Sequence, residues 1–183
     1  NGEGKSTMIK ALMGEIEFEG VCELGHNAKV GYFAQNQASL LDPELTVFQT
    51  VDLAAKGDAR TQIKSILGRF MFSGDDVEKK VSVLSGGEKT RLAMVKLLLE
   101  PVNVLILDEP TNHLDIKSKD VLKEALTNFD GTLILVSHDR DFLMGLSQKV
   151  FEFKNKLVIE HFETIDAFLE RNKIESLKEI DLL

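Results

Sequence analysis

The chain has 183 residues, of which 43% are hydrophobic, so it is long enough to bury one sizeable core. We predict one domain, within which two lobes are possible. The formal net charge of -8 excludes a broad basic surface for binding nucleic acid. The sequence has neither an apolar run of about 20 residues nor a signal peptide, and its single cysteine, Cys22, cannot form an internal disulfide. We therefore expect a cytoplasmic protein that does not insert into membranes.

The first half of the chain mixes predicted helices with short strands. A helix is predicted over residues 7–13, and alternation over residues 15–24 predicts short β-strands joined by turns. Another strand is predicted over residues 30–34. Between residues 46 and 72, apolar residues recur at helical spacing with one interruption. With the helix that follows, this region is interpreted as a small helical lobe at about 44–100.

The middle of the chain predicts a β-α-β unit. A helix is predicted over residues 87–100 because it has one apolar stripe and ends at Pro101. Residues 102–107 and 132–136 are nearly continuous apolar runs, as in parallel strands buried on both faces. A helix at about 117–129 connects them. The predicted fold class is α/β, a mostly parallel sheet flanked by helices, with a small antiparallel region and the helical lobe.

The end of the chain predicts two strands and a helix. The strands lie within residues 149–162 and turn at Asn155, and an amphipathic helix starts at about Ile165. We assign residues 1–172 to the domain and residues 173–183 to a C-terminal tail or linker.

A glycine-rich stretch at the start of the chain matches the last places of the phosphate-binding pattern GxxxxGK[ST]. The matching residues are Asn1, Gly2, Glu3, Gly4, Lys5, Ser6 and Thr7. In such a loop, backbone N–H groups and a helix N-terminus surround phosphate, Lys5 reaches the β and γ oxygens, and Ser6 supplies a hydroxyl to Mg²⁺. Taken alone, the string also fits an ordinary glycine-rich turn.

Two neighbouring carboxylates end the first predicted buried strand. Asp108 and Glu109 follow the run Val-Leu-Ile-Leu, at the edge of a parallel sheet where α/β proteins bind ligands. Beside a phosphate loop, Asp108 is predicted to hold Mg²⁺ through its water shell, and Glu109 to orient or deprotonate the attacking water. Strand-end carboxylates can also be plain solvated charges.

The segment Leu-Ser-Gly-Gly-Glu opens the helix predicted over residues 87–100. Its candidate binding residues are Ser85, Gly86, Gly87 and Glu88. Ser85 is an N-cap candidate, the two glycines let a backbone approach a ligand closely, and a helix start of this kind attracts anions. By itself, a simple capped helix is an equally good interpretation of this segment.

Taken in order along the chain, these motifs resemble an ATP-binding cassette. The matching positions are Lys5 and Ser6, Gln35 after a strand, LSGGE, LILDEP, the turn Asn112-His113-Leu114-Asp115, and His138 after a strand. The resemblance implies that Gln35 senses Mg²⁺ and the attacking water, and that His138 contacts the γ-phosphate. It implies that Ser85 and Gly87 grip the γ-phosphate of ATP held by an opposite cassette. Asp115 would then help to couple the two facing sites.

Two segments resemble the ABC-F subfamily more than transporter cassettes, and they are DEPTNHLD at 108–115 and SHDRDFL at 137–143. This subfamily implies two cassettes in one chain, no membrane domain and, in bacteria, a role on the ribosome as a translation or antibiotic-resistance factor. Its long helical arm is inserted in the first cassette. Only 48 residues separate Gln35 from Leu84, too few for such an arm plus the helical lobe. We therefore interpret the chain as the second, C-terminal cassette.

The function implied is Mg²⁺-dependent hydrolysis of ATP between this cassette and a second one, with ribosome contacts made through other regions. The family pattern also includes a first loop glycine, a strand and an adenine-stacking aromatic residue ahead of Asn1. We therefore expect this fragment to be weak or inactive alone. Two alternatives are the ATP-binding subunit of a membrane transporter and a module that binds nucleotide without hydrolysing it. A module that binds RNA alone is disfavoured by the charge.

Overall fold

The computed structural model of the chain describes residues 4–34 and 36–181, with the backbone alone for residues 175–181. The chain forms two compact units, and the larger is Val21–His138. The smaller consists of Asn1–Gly20 together with Asp139–Leu183. Within the described ranges, no helix combines the length and the apolar character needed to cross a membrane.

The larger unit is built on a parallel sheet of three strands in the order β1-β2-β3. The strands are β1 (Val30–Phe33), β2 (Val104–Asp108) and β3 (Thr132–Val136). The central strand pairs through Leu105 with Gly31 on one side and Leu133 on the other. Leu105, Ile106 and Leu107 are at most 2% exposed. The apolar run of β2 therefore forms a strand buried on both faces, as predicted, whereas β3 forms and pairs as predicted but is only partly buried.

Helix α5 (Ile116–Thr127) connects β2 to β3 and completes the predicted β-α-β unit. It buries Leu122 and Leu126. The chain enters β3 through Gly131, where an added Cβ would lie 2.6 Å from the carbonyl oxygen of Asn103. Because the neighbour is backbone, this position accepts no side chain without movement of the chain.

The helical part of the larger unit packs around a long central helix. Its helices are α2 (Val47–Ala54), α3 (Ala59–Arg69) and α4 (Gly86–Leu99), with 3-10 turns at Gln37–Leu40, Gly74–Glu78 and Val81–Val83. Helix α4 buries Leu92, Met94 and Val95 and contacts α2, α3 and β1. The helices predicted within residues 44–100 are therefore present, while a separate lobe with those limits stays a prediction.

The smaller unit contains an antiparallel hairpin and helices. Its elements are α1 (Lys5–Leu12), α6 (Arg140–Leu143), β4 (Val150–Lys154), β5 (Leu157–His161) and α7 (Ile165–Asp181). Strands β4 and β5 pair and turn at Asn155 and Lys156, whose φ values are 53° and 62°. The predicted late hairpin is confirmed. Because α7 continues to Asp181, residues 173–181 are helical, and their assignment to a tail or linker stays a prediction.

The strands predicted over residues 15–24 are wrong. The backbone there forms turns, bends and irregular structure, and none of it pairs in a described sheet. Phe18, Val21 and Leu24 are 47%, 86% and 56% exposed, so the alternation does not mark a buried face. A strand depends on cross-strand neighbours, and alternation alone does not supply them.

Candidate functional site

The predicted phosphate loop meets a helix start in the smaller unit. Of its residues, Asn1, Gly2 and Glu3 lie outside the described part of the chain, as does Gln35. Gly4 has a φ of 98°, a conformation that L side chains rarely adopt, and α1 begins at the next residue. The first intrahelical bond runs from the Met8 N–H to the Gly4 carbonyl at 2.9 Å. The N–H groups of Lys5, Ser6 and Thr7 precede it and are suited to an anion.

Asp108 ends β2 with a buried carboxylate. The residue is 5% exposed, and its Oδ1 has no hydrogen-bond partner among the described residues. A buried oxygen without a donor is costly, so this atom suits a site where a cation or its bound water supplies the partner. Within the described ranges, no three or more His, Cys, Asp or Glu residues are grouped so that they could hold a metal ion by themselves. This donor set fits Mg²⁺, which is often held by one or two carboxylates together with phosphate oxygens. The metal role of Asp108 stays a prediction.

Glu109 and His138 lie together at the carboxyl end of the sheet. The His138 backbone N–H donates to Glu109 Oε2 at 3.3 Å, and His138 Nε2 lies 3.4 Å from Oε1 without hydrogen-bond alignment. The Glu109 side chain is 10% exposed, whereas that of His138 is 57% exposed. Strand β3 therefore brings one predicted catalytic residue to the carboxylate that follows β2. Their catalytic roles stay predictions.

The backbone at Glu109 turns sharply after the strand. Its φ is 53°, and its N–H donates to the Val136 carbonyl of β3 at 2.8 Å. A non-glycine residue in this left-handed region costs roughly 1–2 kcal/mol, and such residues cluster at functional sites. No local pattern of residues predicts this conformation, because a strand-ending Glu is equally compatible with extended backbone.

The Leu-Ser-Gly-Gly-Glu segment forms the capped start of α4. The Ser85 hydroxyl accepts from the Glu88 N–H at 3.3 Å, while Glu88 Oε2 accepts from the Ser85 N–H at 2.8 Å and from its hydroxyl at 2.6 Å. These Ser85 donors hold the pKa of Glu88 below its usual value. An added Cβ on Gly86 would meet nothing within 4 Å. The helix start is thus both capped and open to an approaching group, and its role as an anion site stays a prediction.

The start of α4 lies against the turn Asn112–Asp115. An added Cβ on Gly87 would lie 3.5 Å from the carbonyl oxygen of His113. Asp115 caps α5 by accepting from the Ser118 N–H at 2.8 Å, and this bond lowers the pKa of Asp115. The structure therefore brings the binding residues predicted at 85–88 beside Asp115, within one unit.

Sequence analysis missed Arg91, which joins these two segments. Its Nη1 lies 3.6 Å from Asp115 Oδ2, and its side chain is only 15% exposed. In the sequence, Arg91 is one basic residue on a helix. The available signal was its position three residues after Glu88, one turn along the same helix.

We expect the cap of α4 to weaken in acid. The pKa of Glu88 is lowered on folding, so its stabilising effect is full above its ordinary value of about 4.3 and is lost as the pH falls through the lower, folded value. The variant Glu88→Gln should be less stable than the wild type at neutral pH by about 0.5 kcal/mol. This difference should close in more acidic solution. Urea unfolding of both proteins over that pH range measures it.

The Ser85→Ala variant is the matched control for this cap. It removes the donating hydroxyl and should cost about 1 kcal/mol at neutral pH. In the Ser85→Ala background, the effect of Glu88→Gln should be smaller than in the wild type because the strongest donor to Glu88 is gone. A stability difference between Glu88→Gln and wild type that is the same at all pH values would contradict the prediction.

Comparison with known proteins places the chain in a family. The family model described as ABC transporter matches residues 1–112. The chain is 45% identical over 183 residues to ABC transporter F family member 5 of Arabidopsis thaliana, covering 99% of the chain and 26% of that relative. It is 44% identical over 179 residues to the putative ATP-binding protein YdiF of Bacillus subtilis, covering 97% and 28%. The chain therefore belongs to the ABC transporter family, as an ATP-binding cassette domain. It spans about a quarter of the length of these relatives.

Solved structures give the same fold. An archaeal ribosome recycling factor, aABCE1, in complex with the ribosomal stalk protein aP1, matches with a TM-score of 0.70 at 26% identity, over 87% of this chain and 32% of that chain. A dimeric ATP-binding cassette bound to ADP and Pi matches with a TM-score of 0.66 at 21% identity, over 88% and 81%, which shows the fold alone. The resemblance to an ABC-F cassette and the predicted fold class are confirmed. Family membership implies binding and hydrolysis of ATP.

Proposed function

We propose that this domain is the second, C-terminal cassette of an ABC-F type protein and hydrolyses ATP together with a first cassette. The observation that carries the proposal is the pair formed by Glu109 and His138 beside the unpartnered oxygen of Asp108. These groups lie at the carboxyl end of a parallel sheet, where α/β proteins bind ligands. The short distance along the chain from Gln35 to the start of α4 supports the second cassette.

Glu109 is proposed to orient or deprotonate the attacking water. One carboxylate oxygen is held by the His138 backbone N–H, and the other has no hydrogen bond among the described residues. This arrangement fixes the carboxylate and leaves an acceptor for a water proton. The exposed His138 ring is proposed to contact the γ-phosphate, since its position beside Glu109 places a donor next to the base.

Asp108, Ser6 and Gln35 are proposed to hold Mg²⁺ with the ATP phosphates, while Lys5 and the N–H groups of residues 1–7 bind the phosphates. When bound, Mg²⁺ supplies positive charge that offsets charge on the transferring phosphoryl group. Asp108 contributes a buried anionic oxygen, which retains a cation better than a neutral amide does. The chain's own part is therefore to hold and orient the substrate.

Replacing Asp108 with Asn tests this site. The substitution keeps the shape but removes the charge, so the Mg²⁺ concentration for half-maximal ATP turnover should rise about tenfold. Turnover is measured by Mg²⁺ titration in the full-length protein, in which the ATP site of the proposed first cassette has been inactivated. Asp130→Asn, at an exposed position after α5, is the control and should leave the requirement unchanged. An unchanged requirement in Asp108→Asn, or no turnover by the wild type, would contradict the proposal.

The start of α4 is proposed to bind ATP held by the opposite cassette. Ser85 and Gly86 are exposed, and Gly86 has open space where a side chain would be. A helix N-terminus with free N–H groups attracts phosphate, so ATP bound by one cassette would draw this helix towards it. Nucleotide binding would then close the pair of cassettes and hydrolysis would open it.

A ribosomal role is proposed on the basis of the relatives. The chain resembles ABC-F proteins over nearly its whole length, and a structure of similar fold is named as a ribosome recycling factor. The net charge of -8 gives this domain little attraction for RNA of its own. We therefore propose that regions outside this domain contact the ribosome, and that the paired cassettes control when they do so.

A further inference from the structure

The guanidinium of Arg91 joins three segments of the larger unit. It extends from the second turn of α4, with Nη1 3.6 Å from Asp115 Oδ2. Its Cζ lies 5.6 Å from the centre of the Phe72 ring, which follows α3. Phe72 is 2% exposed, so the ring gives the guanidinium a fixed surface on which to lie.

Arg91 is the more buried member of its ion pair with Asp115, whose side chain is 49% exposed. The Arg91 side chain is 15% exposed, and its Nε is buried without a hydrogen-bond partner among the described residues. A charge in such surroundings is poorly compensated by water, so its nearby carboxylate matters more than in an exposed pair. Removing Asp115 would leave the largely buried charge of Arg91 without its partner, whereas removing Arg91 leaves a carboxylate that water can solvate.

The turn that Arg91 contacts contains a residue with left-handed backbone and one buried side chain. His113 has a φ of 67°, an uncommon conformation for a residue with a side chain. At the start of α4, a Cβ added to Gly87 would lie 3.5 Å from the His113 carbonyl oxygen, so the turn and the helix start approach each other closely. Within the turn, Leu114 is buried, whereas Asn112 and His113 are exposed. Thr111, which precedes the turn, is also buried. The ion pair of Asp115 with Arg91 therefore lies where the turn ends and α5 begins.

Arg91 also lies between two carboxylates that the site uses. Hydrogen bonds from Ser85 and Ser118 are the larger cause of the lowered pKa values of Glu88 and Asp115, and the charge of Arg91 lowers both further. One cation thus attracts both the cap of α4 and the cap of α5.

We propose that Arg91 is a positioning residue that fastens the turn Asn112–Asp115 to the start of α4, so that the two segments facing an opposite cassette move as one body. The catalytic consequence rests on the proposed function. When ATP held by the opposite cassette binds at the start of α4, the turn would then move together with the helix. Because the turn follows Glu109 along the chain, this movement would couple the phosphate contact to the position of Glu109.

Arg91→Met tests the link by two independent measurements on the full-length protein. Without nucleotide, amide hydrogen exchange of the Leu114 and Ser118 N–H groups should become about tenfold faster. With ATP, kcat should fall about fivefold while KM changes less than twofold, because binding groups stay in place and their coupling is lost. Arg91→Lys keeps a charge near Asp115 but not the planar contact with Phe72. Its amide exchange rates and its kcat should therefore lie between those of the wild type and those of Arg91→Met.

Two further variants separate this role from a general loss of stability. Arg69→Met breaks a different ion pair between helices of this unit, from α3 to Glu124 of α5, and should change neither exchange at residues 112–118 nor kcat. The double variant Arg91→Met with Asp115→Asn should be no slower than the poorer single variant, because both remove the same pair.

The outcomes are distinguishable. Unchanged exchange in Arg91→Met overturns the link, whatever happens to turnover. Faster exchange with unchanged kcat, or additive losses in the double variant, overturns the positioning role. If the wild type hydrolyses no ATP, the proposed function fails, and the exchange measurement still decides whether Arg91 fastens the turn.

Discussion

Replacing Glu109 with Gln should lower ATP turnover at this site by about 100-fold or more while ATP still binds. Gln keeps the size of the side chain and can accept the His138 N–H bond that Glu109 accepts at 3.3 Å. It cannot take a proton from water, so the loss falls on the chemical step and leaves phosphate contacts in place. Single-turnover hydrolysis and ATP binding are measured in the full-length protein, in which the ATP site of the proposed first cassette has been inactivated.

Glu124→Gln is the matched control for this substitution. It makes the same chemical change on an exposed carboxylate of α5 and should leave turnover unchanged. If the cassettes act on ribosomes, the Glu109→Gln protein should cosediment with ribosomes in ATP more than in ADP, because it stays in the closed form. Undiminished hydrolysis by Glu109→Gln would remove the catalytic role, and equal cosedimentation in both nucleotides would contradict the ribosomal one.

Replacing Gly87 with Ala should lower hydrolysis about 100-fold without destabilising the fold, since small displacements of reacting groups are costly. An added Cβ would meet only the His113 carbonyl oxygen, at an ordinary 3.5 Å, and Gly87 lies in a helix, where Ala is preferred. The methyl group would, however, occupy the surface to which a phosphate of the opposite cassette is proposed to bind. ATP-driven closure and hydrolysis should therefore fall while the urea midpoint stays the same or rises.

Gly131→Ala is the opposite case and serves as the comparison. Its Cβ would lie 2.6 Å from the Asn103 carbonyl oxygen, so the backbone must shift, at a cost of about 1–3 kcal/mol. This variant should lose stability without a specific loss of ATP-driven closure in the protein that remains folded. Equal losses of stability in the two glycine variants would show that Gly87 serves packing alone.

The residues that carry chemistry were predictable where their signal is local. A strand buried on both faces has to be continuously apolar, so the carboxylates after Leu107 could be placed at the sheet edge. The cap of α4 follows from Ser85 and Glu88, three residues apart, whose reciprocal bonds need no distant partner. The family motifs then predict which of these residues bind nucleotide.

The remaining features depend on contacts between distant parts of the chain. Arg91 of α4 meets Phe72, which follows α3, and Asp115, which caps α5, and no spacing along the sequence encodes that meeting. Residues 15–24 were predicted as strands from their alternating pattern. They form no strand, because no neighbouring strand pairs with them. The left-handed backbone of Glu109 is likewise fixed by its bond to Val136 on β3 and cannot be inferred from a glutamate in the sequence.

That backbone conformation has a consequence for how the protein changes under selection. A glycine at position 109 would relieve the steric cost of a φ of 53°, and an asparagine would tolerate it better than glutamate does. Heat resistance selected without a demand for turnover would thus favour variants that have lost the carboxylate. With the proposed role of Glu109 as the base, glutamate at this position would combine turnover with a cost in thermal stability.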